Sequence, residues 1–390
     1  MNKNVLIVMN SFPELSETFI RDHILSALNV SESVYVGAKT IKSNSQALEG
    51  YHDIISKVKI FEIGTFYELT KFKAFLSLIN PFNFYDLLLL KFHKKDFKKK
   101  ILNKRFKKLV ENNKIENIHF HFGDIAREFF KVIGPIENVK IHVTFHGYDI
   151  RHLSQDPQFY TPIIQHVDTP IAISTWNFKA LLSAGFNPEK IKRINNPIDD
   201  KFFSALNVKE KQSLIKMLAV GRLEKVKGFD NLLRSLPLLL KSLREKDVEV
   251  QLTIIGEGSE RQNLEMLISE LAIQDFVSLT GSKNRFEIKE MYNQSDFLVI
   301  SSLHEALPTV MLEAMSMGLP IVSTSVGSIP YELPDDNILC SRNEPSEMVQ
   351  GLEQMIFLKS SWDSIGKSNR QYILKEYGRD VFETKLRLLY

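Results

Sequence analysis

Lys216-Met217-Leu218-Ala219-Val220-Gly221-Arg222-Leu223-Glu224-Lys225-Val226-Lys227-Gly228 is a short apolar run ending in a glycine-bounded basic turn, and a helical pattern over 229–243 follows it. The apolar run predicts a strand, the glycines a tight turn and the 3.6-residue spacing a helix. Strand, turn and helix in that order are the repeating unit of an α/β sheet. A turn of this kind carrying Arg222 and Lys227 suits phosphate, because ligands of open α/β sheets bind at the carboxyl ends of strands. Arginine grips two phosphate oxygens at once, whereas lysine supplies a mobile point charge. A solvated basic loop is the plainer alternative.

The same rhythm extends in both directions. Strands are expected over 5–9, 33–37, 117–122, 140–145 and 169–173 in the first half. In the second half they are expected over 216–220, 251–255, 276–279, 297–300, 320–323 and 337–339. Helical patterns lie between them, including 16–29 and 259–271. Continuous apolar strands separated by helices imply parallel sheets covered on both faces. Two such sets imply two Rossmann-like domains, with a boundary in the polar stretch 197–211. Neither half repeats the other in sequence. The turn at Gly256-Glu257-Gly258 lacks the three spaced glycines of a dinucleotide fingerprint and reads as structural.

The chain has 390 residues, of which 44% are hydrophobic and 25% charged, a globular composition long enough for two domains. The net charge of +3 gives no reason to expect nucleic acid. A single cysteine, Cys340, excludes an internal disulfide framework and fits a reducing compartment. The apolar run at 5–9 is too short and too weakly flanked for a signal peptide, and no stretch reaches the roughly 18 apolar residues that span a bilayer. We expect a soluble cytoplasmic protein.

One segment departs from the rhythm. In the later part of 66–109, Lys91, Lys94, Lys95, Lys98, Lys99, Lys100, Lys104, Arg105, Lys107 and Lys108 are opposed only by Asp96, and Phe92, Phe97, Ile101, Phe106 and Leu109 interleave. A basic amphipathic helix of this kind reads as contact with an anionic membrane surface. A surface helix packed on its own domain is the alternative.

Glu305-Ala306-Leu307-Pro308-Thr309-Val310-Met311-Leu312-Glu313 places two carboxylates around a loop that enters a helix. Pro308 suits the first helical position, where a missing N–H costs nothing. The unpaired N–H groups of that turn favour an anion. Glu313 shares a helix face with Thr309. A phosphate between two carboxylates describes a nucleotide-sugar site.

From Val220 to Leu333 the chain resembles the donor half of retaining glycosyltransferases of the GT-B fold, family 4 (glycosyl transferases group 1). The glycine-arginine-leucine…lysine-glycine turn at 221–228, the glutamate pair Glu305 and Glu313 with seven residues between, and Ala314-Met315…Gly318-Leu319-Pro320 stand in that family's order. In the first half, Ser11-Phe12-Pro13-Glu14-Leu15-Ser16-Glu17-Thr18-Phe19-Ile20, His119-Phe120-His121-Phe122-Gly123 and Thr144-Phe145-His146-Gly147-Tyr148-Asp149-Ile150 are similar to its exopolysaccharide and lipopolysaccharide branch. The fold implied is two Rossmann-like domains facing each other across a cleft. The first is a 1–200 acceptor-side domain, the second a 201–376 donor domain, and a 377–390 helix crosses back to the first.

The resemblance implies the following roles. Arg222 and Lys227 hold the donor diphosphate, helped by backbone N–H groups around Leu307, Pro308, Thr309 and Val310. Glu313 binds the ribose. Glu305 and His146 meet the transferred sugar. Gly281, Ser282 and Lys283 hold the base. Ser11, Phe12, Ser16, Glu17 and Thr18 form a loop on the acceptor side, with His121 and Asp149 beside it. Each assignment has a structural alternative: Glu305 as a helix-start acid, His146 as a strand-end histidine, His119 and His121 as structural partners on one strand face, Asp149 as a brace.

The implied reaction moves a sugar from a UDP- or GDP-sugar to a growing glycan, on a lipid-linked acceptor at the inner membrane face, with retention of configuration. No cofactor and no metal are expected, since Arg222 and Lys227 can neutralise the leaving diphosphate. A small soluble acceptor and a catalytically inactive scaffold are the alternatives. Three positions depart from the family pattern: Ala306 stands where relatives have glycine, Pro197 likewise, and an extra residue precedes Glu332.

Overall fold

Continuous apolar strands require cover on both faces, and both sheets of the chain receive it. In a computed structural model, residues 3–14, 17–42, 51–63, 95–204, 213–246, 248–341 and 344–390 are described. They divide into two units. One comprises Met1–Asn196 with Phe382–Tyr390, and the other Pro197–Val381.

The first unit holds a parallel sheet in the order β3-β2-β1-β4-β5-β6-β7. Its strands are β1 (Asn4–Phe12), β2 (Ser33–Ile41), β3 (Lys59–Glu62), β4 (Ile115–His121), β5 (Lys140–Phe145), β6 (Thr169–Ala172) and β7 (Lys192–Arg193). Helices of eight residues or more are α1 (Thr18–Val30), α2 (Lys95–Asn112), α3 (Gly123–Val132) and α4 (Thr175–Ser183). Along β1, Leu6 and Val8 join one buried cluster with Ile118, Phe120, Val143 and Phe145. Val5, Ile7 and Met9 join a second cluster with Ile20 and Ile24 of α1. Burying each such side chain is worth about 1.5–3 kcal/mol.

The second unit has the order β10-β9-β8-β11-β12-β13, also parallel. Its strands are β8 (Ile215–Val220), β9 (Val250–Ile255), β10 (Val277–Leu279), β11 (Phe297–Ile300), β12 (Ile321–Thr324) and β13 (Ile338–Cys340). The longer helices are α5 (Phe229–Leu243), α6 (Arg261–Glu270), α7 (Arg285–Gln294), α8 (Thr309–Ser316), α9 (Pro345–Phe357) and α10 (Trp362–Glu376). A last helix, α11 (Arg379–Leu389), ends the chain, and its Phe382 and Leu386 pack in the first unit's second cluster with Tyr390.

In each sheet the first strand of the unit lies centrally with later strands added on both sides. The order therefore reverses between β1 and β4, and again between β8 and β11. Strand loops diverge at such a reversal and leave room for a ligand.

Two strands were not expected, β3 and β7. Both are short edge strands with Lys or Arg and exposed positions, so they lack the apolar run that marks the interior ones. The basic segment needs a correction in part. In α2, Phe106 and Val110 are buried in the first cluster, and Phe106 meets Phe129 edge-on at 4.8 Å. That part of the apolar face is thus used by its own domain. Lys91, Lys94 and the rest of 64–94 lie outside the described residues.

Candidate active site

The second unit gathers its charged candidates at the sheet reversal. The turn after β8 folds as a 3-10 turn, Lys225–Lys227, closed by Gly228 at φ 61°. The loop after β11 runs beside it: Ser301 Oγ donates to the Lys227 carbonyl at 2.8 Å, and Leu303 N–H donates to the Val226 carbonyl at 2.8 Å. These bonds bring the Lys227 ammonium to 2.5 Å from Glu305 Oε1, which also accepts from Ser302 Oγ at 2.7 Å. Both side chains are largely enclosed, at 19% and 11% exposure. Arg222 differs: 65% exposed, it pairs with Glu224 at 2.7 Å. Exposed pairs bind weakly, so the guanidinium can swing onto a phosphate at little cost.

Glycines pull the neighbouring turns together. A Cβ at Gly327 would stand 1.5 Å from the Glu305 carbonyl oxygen, so the turn after β12 rests directly on the Glu305 backbone. A Cβ at Gly256 would stand 1.9 Å from the Gly221 oxygen. Gly256 N–H in turn donates to the Gly281 carbonyl at 3.0 Å. The turn at 281–283 is thereby laced to the turn at 221–228 by backbone alone. Gly281 sits at φ 78°, Ser282 is exposed, and Lys283 pairs with Glu287 at 2.9 Å.

Pro308 is the cap before α8, not its first residue, with an extended backbone (φ −72°, ψ 116°), and Leu307 and Ala306 before it are buried. The first N–H groups of α8 have no earlier helical carbonyl to reach. One turn further on, Glu313 is buried, and Tyr292 Oη–H donates to its Oε2 at 3.0 Å. Ser302 and Tyr292, which support the two glutamates, were not singled out in the sequence; a serine pair after a strand and a tyrosine on a helix carry no distinctive signal. Glu332 is buried and accepts from Tyr377 Oη at 2.6 Å, a structural contact.

The first unit is built differently. Ser11 and Phe12 end β1, and Phe12 is buried edge-on against Tyr51 at 5.4 Å, a core contact. Glu17 caps α1 by backbone only, and its Oε2 is buried with no hydrogen-bond partner among the described residues. Burial and the charge of Glu14 push its carboxyl up to about 7. Thr18 opens α1, while Ser16 lies outside the described residues.

Asp149 is a brace. Its Oδ1 accepts from His146 N–H at 2.7 Å and Ile150 N–H at 3.1 Å, and its Oδ2 from Gly123 N–H at 2.8 Å. Gly123 fits because a Cβ there would stand 2.2 Å from the Phe145 ring. Burial raises the Asp149 carboxyl to about 7 against the pull of those donors.

His121 is buried and bridges two other histidines. Its Nδ1 is 3.1 Å from His146 Nε2, and its Nε2 is 2.8 Å from His23 Nδ1. Phe19 and Phe122 lie against the His146 ring, each at 4.6 Å. Desolvation holds all these imidazoles neutral: it lowers His121 and His142 to about 3, and His23, His119 and His146 well below the usual range.

Comparison with known proteins agrees with this fold. The model of the family "Glycosyl transferases group 1" matches residues 199–372. The chain is 24% identical over 398 residues to the putative colanic acid biosynthesis glycosyltransferase WcaL of Escherichia coli, covering 96% of each. It is 28% identical over 234 residues to the amylovoran biosynthesis glycosyltransferase AmsK of Erwinia amylovora, covering 57% of this chain and 55% of that protein. The chain spans about half the length of several curated relatives it matches, between 44% and 55% of them. Among solved structures, Anabaena Alr3699/HepE in complex with UDP-glucose superposes with TM-score 0.71 at 16% identity, over 99% of this chain and 98% of that one. The fold is therefore GT-B, two parallel-sheet α/β domains.

Proposed function

We propose that this chain, whose residues 199–372 match the glycosyl transferases group 1 family model, is a retaining glycosyltransferase. In this reading it moves a sugar from a nucleotide diphosphate to a growing cell-surface glycan. The observation that carries the reading is the Lys227–Glu305 pair at 2.5 Å, enclosed at the β8–β11 reversal just before α8. The pair is neutral overall, but it places the Lys227 ammonium and the start of a helix where a leaving diphosphate would gather negative charge. Fixed positive groups stabilise that charge more in the transition state than in the ground state, which raises turnover.

The roles divide as follows. Lys227 and Arg222 take the diphosphate, and the backbone of Leu307, Pro308, Thr309 and Val310 adds N–H donors. Glu313, buried on Tyr292, takes the ribose hydroxyls. Glu305 orients the sugar, and His146 takes the role of a sugar-contacting histidine. Retention follows a front-face course in which the leaving phosphate accepts the proton of the acceptor hydroxyl. Two cations meet the charge without a metal. UDP is the favoured nucleotide because the Anabaena neighbour's structure holds UDP-glucose. A glycan acceptor accords with the colanic acid name of the full-length relative. A lipid carrier at the inner membrane face would meet the exposed Lys104 and Lys108 of α2.

A melting-temperature screen against UDP-, GDP- and ADP-sugars tests the reading. A ligand at a hundred times its Kd stabilises the fold by about 2.7 kcal/mol. A rise of several degrees with one UDP-sugar is expected. A GDP-sugar acting alone would overturn the base assignment, and no response across the panel would overturn the reading itself. Lys104→Glu with Lys108→Glu should lower sedimentation with anionic vesicles if the acceptor is membrane-bound.

A further inference from the structure

The face of β4 and β5 that packs beneath α1 and α11 is polar yet buried. Asn117, His119 and His121 alternate along β4, and His142, Thr144 and His146 along and just beyond β5; all six are buried. Buried polar groups in native proteins find partners, and most of these find one another, although Asn117 Nδ2 and His142 Nδ1 have no partner among the described residues. Thr144 Oγ1 lies 2.7 Å from His119 Nε2, and His119 Nδ1 lies 2.7 Å from Tyr390 Oη. Tyr390 Oη lies 2.7 Å from His23 Nε2, His23 Nδ1 lies 2.8 Å from His121 Nε2, and His121 Nδ1 lies 3.1 Å from His146 Nε2. Six side chains from β4, β5, α1 and the residues flanking β5 and α11 thus form one unbranched chain of hydrogen bonds.

Such a chain has two one-way directions; the remaining arrangement, in which Tyr390 accepts from both His119 and His23, strands the buried Tyr390 O–H. A neutral imidazole donates from one nitrogen and accepts at the other, and a phenol donates once. If Thr144 donates to His119, then His119 donates to Tyr390, Tyr390 to His23, His23 to His121, and His121 to His146. Every histidine then carries its hydrogen on Nδ1. Run the other way, every histidine carries it on Nε2, and the Thr144 hydroxyl hydrogen is left without an acceptor. Among the described residues Thr144 Oγ1 bonds only to His119, and His146 Nδ1 makes no bond at all. Six donors share five bonds, so either direction leaves one hydrogen over; the first leaves it on His146 Nδ1, an atom that makes no bond and is not fully buried, where water or a ligand can accept it, and the second strands it on the Thr144 hydroxyl of the covered strand face.

We propose that Thr144, His119, Tyr390, His23 and His121 are positioning residues whose one-way hydrogen-bond relay fixes His146 as the Nδ1–H tautomer, so that it offers a donor to an oxygen of the transferred sugar. This rests on the reading in which His146 meets that sugar. Burial keeps the imidazoles neutral, which the relay needs, since an imidazolium would donate from both nitrogens and end the chain. His142 stands outside it, bonded through Nε2 to Asn117 Oδ1 at 3.1 Å. A metal ion is the competing occupant of the same rings. One nitrogen each of His23, His119 and His121 lies within 4.8 Å of the others, close enough to share an ion. Those nitrogens are already engaged in the relay, so a cation would have to break it.

Histidine-labelled full-length protein, studied by long-range nitrogen–proton NMR with signals assigned by single His→Gln variants, tests the relay. Nδ1–H tautomers at His23, His119, His121 and His146 are expected. A mixed set, or Nε2–H at all four, overturns it. Tyr390→Phe keeps the ring but cuts the chain at its middle, and Thr144→Val removes the donor that sets its direction. Both should leave the melting temperature within a few degrees and the UDP affinity within about twofold, while His146 shows both tautomers and kcat falls by about tenfold. His146 remaining Nδ1–H in both variants overturns the relay, as does a stoichiometric metal that His119→Gln releases. The NMR readout needs no substrate. Uniform tautomers with no nucleotide sugar bound would therefore defeat the function and spare the relay; transfer activity with mixed tautomers would do the reverse.

Discussion

The two sheets reverse strand order at equivalent places and fill those places with opposite electrostatics. Beside β8 and β11 the chain keeps ionised groups, Lys227 with Glu305 and Arg222 with Glu224. Beside β1 and β4 it keeps neutral ones, histidines and a tyrosine that burial prevents from charging. The difference is depth. Lys227 and Glu305 retain some solvent contact, and each has the other within 2.5 Å. The histidines are covered by α1 and α11, where an unpaired charge would cost far more than a hydrogen bond returns. One site holds charge ready for a charged ligand, and the other holds direction.

The charged side should break first and hardest. Lys227→Ala removes the enclosed cation and strands the Glu305 carboxylate beside Ser302. A loss of about a hundredfold to a thousandfold in kcat is expected, in line with deletion of a single fixed donor at a developing negative charge. Glu305→Gln should cut kcat while leaving nucleotide affinity near wild type, measured by titration calorimetry with UDP. Loss of nucleotide binding in Glu305→Gln would place that residue on the diphosphate and collapse the division of labour. Gly327→Ala tests the same loop through its backbone. The new Cβ cannot share space with the Glu305 carbonyl at 1.5 Å, and φ of 56° disfavours any side chain. A drop of roughly 1–3 kcal/mol in stability is expected by urea unfolding, together with reduced turnover.

The neutral side should answer to acid instead. The folded pKa values of His23, His119, His121, His142 and His146 are depressed below the unfolded value near 6.5. Their contribution is complete above that value and is lost as pH falls below it, by about 1.4 kcal/mol per pH unit for each histidine. Asp149 and Glu17 act in the other direction. Both are raised to about 7, so the folded state binds their protons first and gains stability as pH falls from about 7 towards 4. Asp124, also raised by burial, acts with them, and five groups against three still leave a net loss between pH 6.5 and about 4.5. The first unit should therefore unfold at higher pH than the second, which carries His304 alone among the histidines. Tryptophan fluorescence can follow this, with Trp176 in the first unit and Trp362 in the second. Simultaneous loss of both signals on acidification would show that depth of burial does not separate the two sites.

Much of the charged site was legible because its parts are consecutive. Gly221–Gly228 and Glu305–Glu313 each show a strand end, a turn and a helix start within a few residues, and apolar runs such as 297–300 announce buried parallel strands on their own. The neutral site was not legible for the opposite reason. Its members lie at 23, 119, 121, 144, 146 and 390, and only a fold that lays α1 and α11 on one sheet face brings them together. The alternation of His119 and His121 pointed to a shared strand face, but a polar stripe ordinarily reads as solvent-facing. Its burial follows from cover supplied by the far end of the chain. Asp149 misleads for a related reason: a carboxylate beside a candidate histidine suggests ligand contact, yet its oxygens are occupied by three backbone N–H groups.

The finest test of the comparison is a group that belongs to neither class. Tyr292 is buried in the charged unit and donates to Glu313 Oε2 at 3.0 Å, while burial and that carboxylate raise its own pKa well above the usual value. It acts on Glu313 as the relay acts on His146: it settles one atom so that the other is presented in a fixed direction. Tyr292→Phe deletes this bond without changing the ring. A hydrogen bond to a charged group contributes about 1.5–3 kcal/mol, but Glu313 has further contacts, so only part of that should reach the ligand. UDP affinity should fall by about three- to tenfold and kcat should hold if Glu313 meets only the ribose, as proposed above. If kcat fell while affinity held, Glu313 would belong to the chemistry, and the charged site would be a single catalytic unit with no separate nucleoside end.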